Sequence, residues 1–153
     1  MKQKSLFKLK DYTSEFGGSI LEGKRKSRRP FSNKKPIKIV LKASAHSLFK
    51  QRREVERLFF YFAKKFHVKL YEVAVCSNHS HFVAKFDSEL SYARFIRALT
   101  GTMARKFQIK FLFRPWSRIL KWGKALQVAI QYTIQNRLET EGVIPYQVRL
   151  YQT

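Results

Sequence analysis

The segment CSNHSHFVAKF (76–86) sets His79 and His81, two of the chain's four histidines, one residue apart. Alternate side chains of an extended strand share a face, so both imidazoles project together, about 7 Å apart along the chain. Two ligands of one metal ion can use that spacing, and two solvent-facing polar positions can use it equally. The segment QYTIQN (131–136) weights the choice. On a helix, Tyr132 and Asn136 stand at i and i+4 and share a face, with Gln135 one position aside. Where that helix lies over the strand, a phenol and an amide oxygen converge on the two imidazoles. Neutral imidazoles and an amide oxygen make an incomplete coordination sphere that leaves positions for phosphate oxygens and water. A phenol oxygen attacking phosphorus would form a covalent phosphotyrosine, which keeps the bond energy of a cut strand for rejoining. Zinc hydrolysis fits less well: the usual carboxylate is missing, and Asp87 and Glu72 are near in sequence without being aimed at the pair.

The elements that must position these groups follow from periodicity. IKIVLKA (37–43) alternates as a first strand, and SLFKQRREVERLFFYFAKKF (47–66) carries Leu48, Val55, Leu58, Phe59, Phe62 and Phe66 at helical spacing. VKLYEVAV (68–75) and HSHFVAKF (79–86) read as strands joined by the short Cys76-Ser77-Asn78 turn, a hairpin. Asp87 and Ser88 offer an N-cap to a second helix with an apolar face of Ile96, Leu99, Met103 and Phe107. RPWSRILKW (114–122) reads as a fourth strand. Gly123 turns the chain into KALQVAIQYTIQNRLETEG (124–142), a last helix stopped by Gly142 and followed by Pro145. The order β-α-β-β-α-β-α predicts an α+β fold: a ferredoxin-like βαββαβ antiparallel sheet with an extra C-terminal helix. Two helices cover one sheet face, and the last helix is the natural cover for the other, docked on its own sheet or on a partner's.

With 153 residues and 14 Phe, 7 Tyr and 2 Trp, the chain has the length and apolar content for one folded domain. No apolar run approaches a membrane span, and the basic N-terminus lacks the apolar stretch of a secretory signal. The single cysteine, Cys76, excludes an internal disulfide and a cysteine-rich zinc site and fits a reducing cytoplasm. Against 10 acidic residues stand 32 Lys and Arg, a formal net charge of +22. Such an excess calls for a polyanion whose counterions are released on binding, and nucleic acid is the leading partner. An anionic membrane fits less well, as no long basic amphipathic helix stands out. Residues 1–35 read as a flexible basic arm ahead of a catalytic domain at 36–153, with Lys24, Arg25, Lys26, Arg28, Arg29, Lys34 and Lys35 clustered for DNA binding. Arg94, Arg97 and Arg105 add a basic stripe along the second helix, a solvated face or a phosphate contact in equal measure.

NHSHF behind a strand, and QYTIQNRLETEGVIPY near the C-terminus, resemble the HUH-type single-tyrosine transposases, and within them the REP-associated tyrosine transposases. GGSILEGKRKSRRPFSNKKPIKIVLKAS, FIRALTG and RPWSRILKWG are similar to that family too, so the resemblance runs over residues 16–146. It implies that His79 and His81 are the metal-binding pair, Asn136 the third protein ligand and Tyr132 the nucleophile. It also implies a divalent magnesium or manganese ion and a single-stranded, hairpin-flanked DNA substrate. The reaction it implies is cleavage and rejoining through a 5′-phosphotyrosine, by a monomer or homodimer in the bacterial cytoplasm at the nucleoid. Two positions depart from the pattern: Ser80 replaces a bulky apolar residue, and Lys38 stands where relatives carry histidine.

Two other classes compete. A non-catalytic ferredoxin-like nucleic-acid-binding domain would need several aromatics on adjacent central strands, and that signature is weak here. A water-using metal phosphodiesterase would keep the histidines and not need Tyr132. Tyr146 is the rival nucleophile, less rigidly aimed behind Gly142 and Pro145. Tyr12, Tyr61, Tyr71, Tyr92 and Tyr151 read as core, surface or tail residues, and His46 and His67 as surface histidines. Cys76, in the hairpin turn near the histidines, could bind a soft metal, but one thiol is weak evidence and it reads as an ordinary turn residue. Trp116 and Trp122 are either base-stacking platforms or core, with burial expected for at least one.

Overall fold

The computed structural model describes residues 15–24, 27–44 and 48–148. Arg25, Lys26, Tyr12, His46 and Tyr151 lie outside the described residues. The strands are β1 (Glu15–Phe16), β2 (Ile37–Lys42), β3 (Lys69–Val75), β4 (His79–Lys85) and β5 (Trp116–Ile119). The helices are α1 (Arg52–Lys65), α2 (Glu89–Phe107) and α3 (Lys124–Thr140), with 3-10 turns at Gly18–Leu21 and Leu48–Gln51. The sheet runs β1-β5-β2-β4-β3 and every pairing is antiparallel. Without β1 this is the ferredoxin-like order, as the element pattern predicts, and α3 is the extra C-terminal helix.

Alternation divides the strands cleanly. Ile37, Ile39 and Leu41 of β2 and Phe82 and Ala84 of β4 turn to one side, where Val55, Phe59 and Phe62 of α1 and Phe95, Leu99 and Met103 of α2 close over them. Phe59, Phe82 and Phe95 meet edge to face or tilted, with ring centroids 5.0 to 6.4 Å apart. Lys38, Val40 and Lys42 point to the other side, opposite Val83, His81 and His79 in register. There α3 packs over β3 and β4 of its own chain. The ion pair of Glu72 on β3 with Arg137 pins α3 down, and Arg52 to Glu141 at 3.5 Å ties its C-terminal end to α1. The small core beneath α3 is Val83, Leu120 and Ala129.

The fifth strand is not legible in the pattern, because two residues have no periodicity. Glu15 and Phe16 pair with Arg118 and Ser117 of β5, and Phe16 is buried. Gly17 permits the approach: at φ 87° a Cβ there would stand 2.0 Å from the carbonyl oxygen of Pro115. Farther along the basic segment, Arg29 donates from Nη1 to Ser117 Oγ at 2.6 Å and lies over the Phe16 and Tyr92 rings. Burial lowers its pKa, against an opposing effect of Tyr92. Arg29, expected at the DNA surface, is thus a clamp between the segment before β2 and the sheet. Arg28 pairs with Glu89 at 2.9 Å at the surface.

Two sequence expectations are corrected by packing. Neither tryptophan is buried: Trp122 is 52% exposed with its indole N–H donating to Lys34 O at 3.0 Å, and Trp116 is half-buried on the α3 side. Both follow or enter β5, which is too short and too near the sheet edge to bury an indole. The first helix also begins later than its periodicity predicts, the stretch Leu48–Gln51 being 3-10.

Candidate active site

β4 delivers His79 and His81 to the α3 side as alternation requires, their ring centroids 4.6 Å apart. His81 is 7% exposed and His79 half-buried. Asn78 Oδ1 lies 2.6 Å from His79 Nδ1, so an N–H there donates to the amide and leaves Nε2 as the nitrogen with a lone pair for a ligand. Burial first, and the Lys42 charge second, lower the His79 pKa and favour its neutral, ligating form. Ser80 between them faces α1 and α2, fully buried, with no hydrogen-bond partner for its hydroxyl among the described residues. The departure at Ser80 therefore lies in the packing layer and not on the face of the histidines.

Tyr132 comes to the pair from α3, its ring centroid 5.7 Å from that of His81 and nearly perpendicular to it. Asn136, a helical turn on, gives its amide N–H to Tyr132 O at 2.8 Å, so its oxygen is the acceptor left on the side chain. Thr140 continues the same face and reaches Cys76, Oγ1 to Sγ 3.4 Å. The i, i+4 spacing thus lays phenol, amide and hydroxyl along the line from His81 to Cys76. One ligand atom each from Cys76, His79 and His81 all lie within 4.8 Å of one another, and no carboxylate joins this group among the described residues. Glu72 is held by Arg137, and Asp87 is exposed. Two imidazole nitrogens and an amide oxygen, with positions left for water and phosphate oxygens, fit a divalent cation such as the resemblance implies, and the thiol is the softer donor beside them.

Lys38 is the second departure, and its ammonium sits 3.9 Å from the centre of the Tyr132 ring. Both residues line a groove of about 1240 Å³ between α3 and the β5 edge. Its floor carries Trp116 and Arg118, its rim Lys124, and its α3 wall Val128, Gln131 and Gln135. Sequence reasoning missed Lys42, Arg118 and Lys124 and saw Lys38 only as a departure. The signal was present: the lysines of IKIVLKA alternate with the apolar residues, which puts them on the face of the histidines. The hairpin turn places Cys76 near the histidines already in the sequence, and the structure adds that its ligand atom lies within 4.8 Å of theirs.

The expected DNA contacts divide. Lys24, Lys34 and Lys35 are exposed. Arg94, Arg97 and Arg105 are exposed on α2, the layer across the sheet from Tyr132. The structure does not bring that stripe to the histidines. Tyr146, the rival phenol, is 72% exposed beyond α3.

Residues 28–126 match the family described as transposase IS200 like. The match spans β2 to β5 and the histidine pair and ends before Tyr132. Among solved structures, the chain is similar in fold to a REP-associated tyrosine transposase bound to a REP hairpin. Identity there is 11% and TM-score 0.59, over 78% of this chain and 76% of that one. It also aligns with a putative transposase from Deinococcus radiodurans at 15% identity and TM-score 0.46, over 74% of this chain and 97% of that one. No curated protein matches it. No helix among the described residues is long and apolar enough to cross a membrane.

Proposed function

The chain belongs to the IS200-like transposase family, and from that premise we propose a metal-dependent transesterase that cuts and rejoins single-stranded DNA beside a hairpin. The observation that carries this reading is the approach of Tyr132 on α3 to His81 on β4, ring centroids 5.7 Å apart. Two elements distant in sequence meet there with the groups the reaction needs.

His79, His81 and Asn136 would hold a magnesium or manganese ion. When bound, the ion polarises the scissile phosphate and offsets charge in the transition state. Tyr132 Oη attacks phosphorus, the bond from phosphorus to the 3′ oxygen breaks, and a 5′-phosphotyrosine and a 3′-hydroxyl result. The phenol proton leaves to solvent and the 3′ oxygen takes one up. A 3′-hydroxyl attacking the phosphotyrosine reverses the step and restores the phenol. Asn78 fixes the His79 tautomer, and Lys38 holds the Tyr132 ring by its face.

The groove beside Tyr132 is the proposed path of the strand, Lys38, Arg118 and Lys124 meeting phosphates and Trp116 stacking on a base. Lys24, Arg25, Lys26, Arg28, Lys34 and Lys35 of residues 1–35 would add phosphate contacts to the catalytic domain at 36–153, although Glu15–Phe16 and Arg29 of that segment pack on the sheet and are no free arm. Arg94, Arg97 and Arg105 on the far layer would meet only DNA that wraps round the domain. The hairpin is carried over from the solved relative, whose bound nucleic acid is a REP hairpin. With α3 on its own sheet, one chain holds the whole set, and we read the monomer as sufficient. Its place of action is the cytoplasm, at the DNA.

The test is incubation with labelled hairpin-flanked single-stranded DNA and manganese. A denaturation-resistant protein–DNA adduct is expected, absent in excess chelator. Cleavage without adduct would indicate a water-using phosphodiesterase, and binding without cleavage a non-catalytic domain.

A further inference from the structure

Cys76 is the one cysteine of the chain. It is 5% exposed in the connection ahead of β4, where its backbone N–H donates to His79 O at 2.8 Å. That closure sets the thiol beside the imidazoles, and the three ligand atoms fall within 4.8 Å of one another. Tetrahedral zinc holds nitrogen and sulfur ligands about 3.3–3.8 Å apart, so movements of about 1 Å close the set on one ion. Thr140 Oγ1, 3.4 Å from the sulfur, fixes the cysteine from the helix that bears Tyr132 and Asn136.

A thiolate and two neutral imidazoles are borderline-soft donors. They suit zinc or cobalt, whereas magnesium demands near-octahedral oxygen. We infer that Cys76, His79 and His81 form a zinc-class cation site overlapping the position of the catalytic cation, so that zinc displaces magnesium or manganese and arrests the enzyme. Beside His79, His81 and Asn136 the thiolate makes a fourth protein ligand, adds negative charge to the ion and fills a position that a phosphate oxygen needs, so the open site becomes a closed one. The thiol proton passes to solvent as the ion binds. The arrest rests on the proposed function. The coordination stands on the three side chains alone.

Cobalt(II) is the probe. Titrated into the full-length, metal-free protein, it should raise a near-ultraviolet thiolate-to-cobalt charge-transfer band saturating at one cobalt per chain. In a chain with one cysteine the band can come only from Cys76. Zinc should remove the band and excess magnesium should not. Cys76→Ser should lack it and bind zinc about tenfold more weakly or worse. Cobalt saturation of the wild type without the band, or displacement by magnesium, overturns the site. In the manganese-driven hairpin assay, each protein read against its own zinc-free rate, Cys76→Ser should need about tenfold more zinc than wild type for half-suppression. Equal zinc sensitivity overturns the arrest. A wild type that shows the band but never cleaves supports the coordination and fails the transesterase reading instead.

Discussion

On one face of the sheet Phe59, Phe82, Phe95, Leu99 and Met103 are all 0% exposed, sealed by α1 and α2. On the other, across the same strands, α3 covers β3 and β4 and leaves a groove toward β5, and the residues are His79, His81, Lys38, Tyr132 and Arg118. The two faces use alternate residues of the same chain segments, yet the large core lies on one, and the other has only the small cluster of Val83, Leu120 and Ala129. Hydrophobic burial on the first gives the fold its stability and frees the second to carry polar groups that contribute little to it. In β4 the boundary between the two roles is one residue wide.

The largest effect tests that boundary directly. His79→Ala or His81→Ala should take cleavage to background while costing about 1–2 kcal/mol of stability, the buried His81 the more. Their neighbour Phe82→Ala should do the reverse. It should cost about 3–5 kcal/mol of unfolding free energy, with cleavage retained well below the lowered melting temperature. A denaturant titration and a cleavage assay on the three variants make the comparison. Cleavage at the wild-type rate in the double histidine variant would remove the metal assignment.

Arg29 and its lysine neighbours sharpen the division in the basic segment. Arg29→Ala should destabilise by about 1–3 kcal/mol, through the hydrogen bond to Ser117 and the rings it covers. Lys34→Ala with Lys35→Ala should leave stability alone and flatten the slope of log affinity against log salt by about 0.7 for each phosphate no longer neutralised. A lowered melting point in the lysine pair, and none in Arg29→Ala, would reverse the roles.

Lys38 sits between structure and chemistry. Its hold on the Tyr132 ring is worth about 1–2 kcal/mol as a cation–π interaction, so Lys38→Met should slow cleavage about 5- to 30-fold. An effect on affinity alone, with the single-turnover rate at saturating DNA unchanged, would make Lys38 a phosphate ligand only.

The smallest effect is in pH. The His79 pKa is lowered in the folded protein, by burial and then by Lys42, below its unfolded value near 6.5. The unfolded chain then binds the extra proton first. The contribution to metal-free stability is complete above that value and is lost as pH falls from there through the folded pKa. Melting of metal-free wild type and His79→Gln from about pH 8 to about pH 5 should show a steeper acid loss in wild type. Parallel curves would contradict this.

Much of this architecture was legible because it is written in periodicity. β2 and β4 alternate, α2 opens on Ser88 accepting from Ser91 N–H at 3.0 Å, and Gly123 and Gly142 bracket α3. The strand spacing of the histidines and the helical spacing of Tyr132 and Asn136 were equally readable. β1 was not: a two-residue strand exists only by pairing with β5, and Gly17 makes sense only against Pro115. Arg29 looked like its neighbours because burial by a distant ring leaves no trace in local charge. Cys76 is weak evidence as a lone thiol, and it gains weight only from the distances at which the hairpin sets the two imidazoles beside it. The α2 arginines share a helix face, but which side of the sheet that helix takes is a tertiary fact.

The central claim is that Tyr132 makes the covalent bond, and the family match ends short of this residue. The adduct formed on labelled hairpin DNA should be digested and the DNA-linked peptide sequenced by mass spectrometry, with Tyr132→Phe run alongside. Linkage at Tyr132, with cleavage and adduct both lost in Tyr132→Phe while hairpin binding survives, is the predicted result. Linkage at Tyr146 or any other tyrosine, or an adduct that persists in Tyr132→Phe, would contradict it.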